Sequence, residues 1–248
     1  MKIGIYSDVH ANYVALTGVL KRYESIEGIE LFACLGDVVG YGPAPDKCCE
    51  TVRNHARFTV LGNHDAAVAG RMDYDYYYPA ARNALDHHKT LLADANIRWL
   101  QNLPYEEKFE NLCFSHGSPV NQGAFEYVFT EEHALSHLAH WDTLSHITFM
   151  GHSHLTKSFR LNPPDDGKVE ELKGTVLHLD PPAKYLVTVG SVGQPRDNDS
   201  RACCVVLDTK TNVLEFLRID YDVYEAAESI WNCDYLVPDF GKRLFLGV

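Results

Sequence analysis

The residues best suited to chemistry fall in five short blocks of this 248-residue chain. They are Asp8-Val9-His10, Gly36-Asp37, Gly62-Asn63-His64-Asp65, Ser115-His116-Gly117 and Gly151-His152-Ser153-His154. Together they offer imidazoles, carboxylates and one carboxamide. Such donors without thiolate suit Mn, Fe, Zn, Ni or Co in a reactive site rather than a structural zinc site. Asp8, His10, Asp37, Asn63, His116, His152 and His154 are too many ligands for one ion and fit two ions sharing a carboxylate. Two cations roughly 3.5–4 Å apart can activate a bridging hydroxide and clamp both ends of an in-line displacement at phosphorus. His64 directly follows Asn63 and is placed to point the other way, toward a leaving group.

Each block follows a short apolar run that reads as a buried strand: Lys2–Tyr6, Leu31–Leu35, Phe58–Leu61, Leu112–Phe114 and Ile147–Met150. Helical spacing over Asn12–Glu24 and Asp46–Ala56 alternates with the first strands, which predicts a mostly parallel sheet covered on both faces. Ligands collect at the carboxyl ends of strands in such sheets, and the five blocks lie there. Residues 65–103 interrupt the alternation as a helical insertion over the site. Within it Pro79–Leu100 reads as one long amphipathic helix, and Tyr74-Asp75-Tyr76-Tyr77-Tyr78 as a pocket-lining approach. Beyond His154 the pattern turns to strands: Leu155–Leu161, Thr175–Leu179, Tyr185–Val189, Ala202–Leu207 and Val213–Ile219. These predict a second, mixed sheet stacked on the first. Val223–Trp231 reads as a helix and the residues after it as a tail. One domain is expected over 1–248.

Taken in order, D-x-H, G-D, G-N-H-D, H and G-H-x-H resemble the calcineurin-like metallophosphoesterases over Met1 to about Gly193. The resemblance implies a four-layer α-β-β-α sandwich and a first metal on Asp8, His10, Asp37 and His154. Asp37 would bridge to a second ion completed by Asn63, His116 and His152, with His64 protonating the leaving oxygen. Mn or Fe leads as the metal, with Zn, Ni or Co as the other candidates. The phosphoprotein phosphatases of that superfamily continue the second block with an aspartate and an arginine. Here Asp37-Val38-Val39 runs into Gly40-Tyr41, so the carboxylate that would support His64 is missing at that place. Asp65 is the replacement to consider. The chain looks more like the small bacterial and archaeal branch of phosphodiesterases and diadenosine tetraphosphate hydrolase-like proteins. Gly190-Ser191-Val192-Gly193-Gln194-Pro195-Arg196 also resembles a segment of that branch. The expected activity is phosphodiester hydrolysis. The alternatives are a dinucleoside polyphosphate hydrolase, a phosphomonoesterase, or a scaffold that lost the reaction, like a retromer subunit of similar fold.

Arg196 is a candidate phosphate contact, against an ordinary ion pair with Asp197 or Asp199. Asn12 could touch phosphate or cap the first helix. His87, His88, His133, His137 and His140 are assigned to ordinary surface or core positions. Net charge is −12, from 22 basic and 34 acidic residues, which argues against an extended duplex nucleic-acid surface. A small phosphate ester or nucleotide remains compatible, because bound cations invert the local charge. Seven cysteines without C-x-x-C spacing read as reduced core residues. Met1 leads straight into a strand and no apolar run nears the roughly 18 residues of a bilayer span, so a cytoplasmic protein is expected.

Overall fold

The computed structural model describes residues 1–248. Its first strands and helices are β1 (Lys2–Tyr6), α1 (Tyr13–Glu24), β2 (Ile29–Cys34), α2 (Pro45–His55) and β3 (Phe58–Thr59). The insertion then supplies α3 (Asn63–Val68), α4 (Pro79–Leu91) and α5 (Asp94–Asn102). There follow β4 (Glu106–Phe109), β5 (Leu112–Ser115), α6 (Glu131–Ser136), β6 (Ile147–Met150), β7 (Thr156–Leu161), β8 (Val169–Leu172) and β9 (Val176–His178). The chain closes with β10 (Lys184–Val189), β11 (Ala202–Asp208), β12 (Val213–Ile219), α7 (Val223–Trp231) and α8 (Pro238–Leu246).

Side chains alternate across a strand, so β1 serves two cores at once. Ile3 and Ile5 point between the sheets and pack with Phe114, Phe149, Val187 and Val205. Tyr6 points the other way, into the layer with Ala15, Leu16, Val19 and Tyr23 of α1. On the far side Ala134 of α6 covers Phe159, Leu161 and Leu186 of the second sheet. The result is the expected four-layer α-β-β-α sandwich. No helix is long and apolar enough to cross a membrane.

The sheets are composed differently from the expectation. Their orders are β3-β2-β1-β11-β12-β9 and β4-β5-β6-β10-β7-β8. Of the five pairings in the first sheet two are parallel and three antiparallel, with β11 paired to β1 at Ile3 and Leu207. Strands from both halves of the chain interleave in both sheets. Strand patterning specifies which face is buried but not which neighbour it pairs with.

Two helix readings change as well. The stripe over Pro79–Leu100 belongs to two helices, α4 and α5, broken where Leu92 and Ala93 are extended. The break is fastened by Asp46 of α2, whose Oδ1 accepts from Ala93 N at 2.7 Å and from Asn96 Nδ2 at 2.8 Å. The expected tail is α8, with Pro238 in its first turn and Gly247 left-handed at its end. Gly241 in mid-helix lowers its propensity, yet a Cβ there would lie 2.5 Å from Trp231 Nε1.

Candidate metal centre

Six parallel strands, β1, β2, β3, β5, β6 and β10, end at one edge of the sandwich, and their loops carry the predicted residues. Backbone bonds knit these loops together. Asp8 N donates to Gly36 O at 3.0 Å, His10 N to Asp37 O at 2.9 Å and Gly151 N to His116 O at 2.9 Å. Asp8, His10, Asp37, His152 and His154 all sit at positive φ, from 47° to 63°. Left-handed backbone is unfavourable for such residues and clusters at functional sites. The glycines leave no slack: a Cβ on Gly62 would stand 2.1 Å from Asp37 Oδ1, and one on Gly151 1.9 Å from Ser7 Oγ.

The seven predicted ligands converge. Asp8, His10 and His154 form one cluster, Asp37, His116 and His152 a second, and His10, Asp37 and His64 a third between them, each with donor atoms within 4.8 Å. Asn63 Oδ1 joins the second cluster at 3.2 Å from His116 Nε2, while its Nδ2 donates to the Tyr77 hydroxyl.

Three of the imidazoles are fixed by their far edges. Nδ1 of His10 faces Val39 O at 3.0 Å, Nδ1 of His116 faces Leu35 O at 2.7 Å and Nδ1 of His154 faces Gln194 O at 2.5 Å. A carbonyl only accepts, so each Nδ1 carries a proton, and in its neutral form each ring presents a bare Nε2. The Nε2 atoms of His10 and His154 face each other at 3.0 Å, with Asp8 Oδ1 3.7 Å and 3.3 Å away. Asp8 Oδ1 is itself buried without a hydrogen-bond partner. Lone pairs converging on lone pairs and a carboxylate is an arrangement that a cation resolves, so the donors fit a metal. Burial, then the Arg196 charge, holds His154 well below the usual histidine range. At the second cluster burial opposes protonation of His116, but Asp37 at 3.4 Å carries it up to about 9. In the bare chain a proton there takes the place a cation would fill.

His64 lies at the first turn of α3, with its backbone N donating to Asp37 Oδ1 at 2.8 Å. Its Nδ1 is buried, unpartnered and pressed on Gly40, where a Cβ would lie only 2.3 Å away. Asp65 does not replace the missing carboxylate. Its Oδ1 accepts from Val38 N at 2.9 Å and Val39 N at 3.1 Å, and Oδ2 from Gly62 N at 3.2 Å. His64 is instead packed among rings, 4.7 Å from Tyr41 and 4.9 Å from His10.

A cleft of about 390 Å³ opens above the centre. Tyr76, Tyr77 and Tyr78 form one wall, Phe125 and Tyr127 the other, with Tyr127 stacked 4.0 Å over His152. Arg196 also lines it, half-buried, with no acidic partner and a buried, unpaired Nε. Its expected rivals are occupied elsewhere: Asp197 pairs with Arg218, and Asp199 with Arg201 at 2.7 Å. Asn12 is outside the cleft. Its Oδ1 caps α1 at Ala15 N, 3.1 Å, and its Nδ2 donates to Gly193 O at 3.0 Å. Tyr74 turns away to Asp86. His88 and His137 are core residues with both ring nitrogens hydrogen-bonded, and no second histidine set forms a cluster. Tyr41, Phe125 and Tyr127 were not singled out from sequence. The one available signal was Tyr41 between two glycines just after the second block; Phe125 and Tyr127, eight and ten residues past Gly117, carried none.

A family model for calcineurin-like phosphoesterases matches residues 1–188. The chain belongs to the calcineurin-like phosphoesterases. As a calcineurin-like phosphoesterase it is a metal-dependent hydrolase of phosphate esters. A metallophosphoesterase from Sphaerobacter thermophilus is 32% identical with a TM-score of 0.85, covering 100% of this chain and 99% of that one. An uncharacterized protein of Methanocaldococcus jannaschii is 34% identical over 249 residues, covering 99% of this chain and 98% of the relative. A hypothetical protein from Pyrococcus horikoshii, at 17% identity, TM-score 0.77 and coverage of 100% and 98%, shares the fold.

Proposed function

We propose that this calcineurin-like phosphoesterase is a two-metal phosphodiesterase. The observation that supports it most is the pair of bare Nε2 atoms on His10 and His154 facing each other beside Asp8. Asp8, His10, Asp37 and His154 would hold one cation, and Asp37, Asn63, His116 and His152 the other. The nitrogen and oxygen donors suit Mn or Fe first, then Zn, Ni or Co. When bound, such a pair supplies Lewis-acid neutralisation of phosphoryl charge and a more acidic water.

The remaining roles belong to the chain. Arg196, free of carboxylates, donates its planar fork to phosphate oxygens. His64 keeps Nδ1 against Gly40, so Nε2 is the atom that carries the proton to the departing oxygen. The aromatic walls stand on both sides of the floor, which suits a phosphorus bearing two organic arms better than one. They also exclude water from the reacting phosphate. A cleft of about 390 Å³ is at the small end for ligand pockets and holds little of a dinucleoside tetraphosphate beyond its reacting end.

The test compares an aryl phosphodiester, the matching monoester and diadenosine tetraphosphate after reconstitution with each metal. The expected result is metal-dependent turnover with the diester favoured about tenfold or more in kcat/KM. Faster monoester turnover, or full activity after chelation, would overturn the proposal. Preference for diadenosine tetraphosphate would replace it with the polyphosphate reading. His64→Ala should lower kcat on a poor leaving group roughly 10²–10⁴-fold with metal content unchanged. Wild-type turnover by that variant would remove His64 as proton donor.

A further inference from the structure

We infer that His88, on the insertion helix α4, is a positioning residue for His64, acting through the backbone turn Gly40-Tyr41-Gly42. The inference rests on the reading of His64 as proton donor.

His88 is fully buried, and both ring nitrogens are spent on that turn. Nδ1 accepts from Gly40 N at 3.1 Å, and Nε2 donates to Gly42 O at 2.9 Å. Only the neutral ring protonated at Nε2 meets both demands, because Gly40 N can only donate and Gly42 O only accept. The imidazole therefore bridges the two ends of the turn like a staple.

What the staple holds is the support of His64. Gly40 stands at φ +97°, a conformation a glycine enters and leaves easily. It is also the surface on which Nδ1 of His64 rests, since any Cβ there would fall 2.3 Å from it. Tyr41, next along, is itself left-handed at φ 58° and packs its ring, tilted, 4.7 Å from His64. No carboxylate fastens His64, so its orientation depends on this turn, which Gly42 N closes on Gly40 O at 2.7 Å and which His88 braces through Gly40 N and Gly42 O. The opposite side of the turn is fixed independently, by Gly42 N donating to His10 O at 3.0 Å. Loss of His88 thus releases Gly40 N and Gly42 O, while the bonds from Gly42 N keep the turn folded and leave the His10 backbone in place.

This separates geometry at His64 from metal binding and from the fold. His88→Leu fills the buried site with an apolar side chain and removes both bonds. His88→Gln can still present an acceptor and a donor. With reconstituted protein and an aryl diester of poor leaving group, His88→Leu should lower kcat about 10–100-fold, the usual effect of misplacing a reacting group by an ångström. KM and the bound-metal count should stay near wild type, and His88→Gln should recover most of the loss. In a His64→Ala background the same His88→Leu change should cost nothing further, because the two act in series.

Wild-type kcat in His88→Leu would overturn the inference, as would an equal loss in the His64→Ala background. A kcat loss that tracks loss of metal would overturn it too. If His88→Leu does not fold, His88→Met, unbranched and also without a donor for Gly42 O, carries the same cycle, and a deficit that persists without His64 has the same meaning. Should His64→Ala alone be fully active, the underlying proton-donor reading fails instead, and the two failures are told apart by that arm.

Discussion

Replacing Gly40 by alanine tests whether His64 is held by packing rather than by an acid. The new Cβ would begin 2.3 Å from His64 Nδ1, whereas ordinary contact starts at 3.4 Å. The imidazole must therefore retreat by about 1 Å, a displacement that can cost on the order of 10²-fold in rate. Alanine at φ +97° adds about 1–3 kcal/mol of backbone strain, which appears in stability rather than in the chemical step. The expected variant is folded, melts lower, keeps its metals and loses about 100-fold in kcat on a diester with a poor leaving group. With a good leaving group that needs no proton, the loss should shrink toward unity. The measurements are steady-state kinetics across leaving groups, elemental analysis and thermal melting. Equal losses for all leaving groups, or none for any, would refute the argument that Gly40 acts by supporting a proton donor.

Other outcomes follow from the same geometry. Arg196→Met should raise KM for the diester about tenfold or more and leave metal content alone, because its guanidinium has no carboxylate partner to lose and its Nε is unpaired; an unchanged KM would return it to the surface. Tyr77→Phe removes the hydroxyl that receives Asn63 Nδ2, so metal affinity by chelator competition should fall about 10–100-fold, and unaltered affinity would deny the coupling. Burial lowers His88 from 6.5 to about 4, with its bond to Gly42 O opposing. The titratable neighbours are His10 from the β1–α1 loop and His87 from α4, and the Tyr235 ring closes the third side. Between those pH values the unfolded chain takes a proton that the folded chain refuses, so stability falls as pH drops through the window. At pH 5 this amounts to about 2 kcal/mol. Urea unfolding at pH 5 and pH 7 should show a smaller drop for His88→Gln than for wild type.

The seven convergent donors were legible because each follows a strand whose apolar run names it, and parallel strands present their carboxyl ends together. Asp8, Asp37 and His116 needed no knowledge of the sheets' composition. Pairing was not legible: nothing local in Ala202–Asp208 says that it lies beside β1 rather than in the other sheet. The break between α4 and α5 escaped because the apolar stripe runs through it, and its cause, Asp46, sits on α2. His88 was read as an ordinary core histidine, and its core surroundings agree. Its meaning lies in the two glycines it joins, 46 and 48 residues away in sequence. Tyr41 and the Gly40 contact marked a departure from a known motif, but only coordinates show what stands in the gap.

The interleaving of the sheets has a consequence for synthesis. The first sheet pairs β1 with β11, so its centre closes only when residues near 208 are available. The donors, however, are all translated by His154. A ribosome-bound chain that has exposed every ligand still lacks the strand that fixes Asp8 and His10 at the end of β1. Long-range pairing of this kind is slow and leaves edges open in the interim. High-affinity metal capture should therefore arrive as a late event of biogenesis, coinciding with completion of the fold rather than with emergence of the ligands.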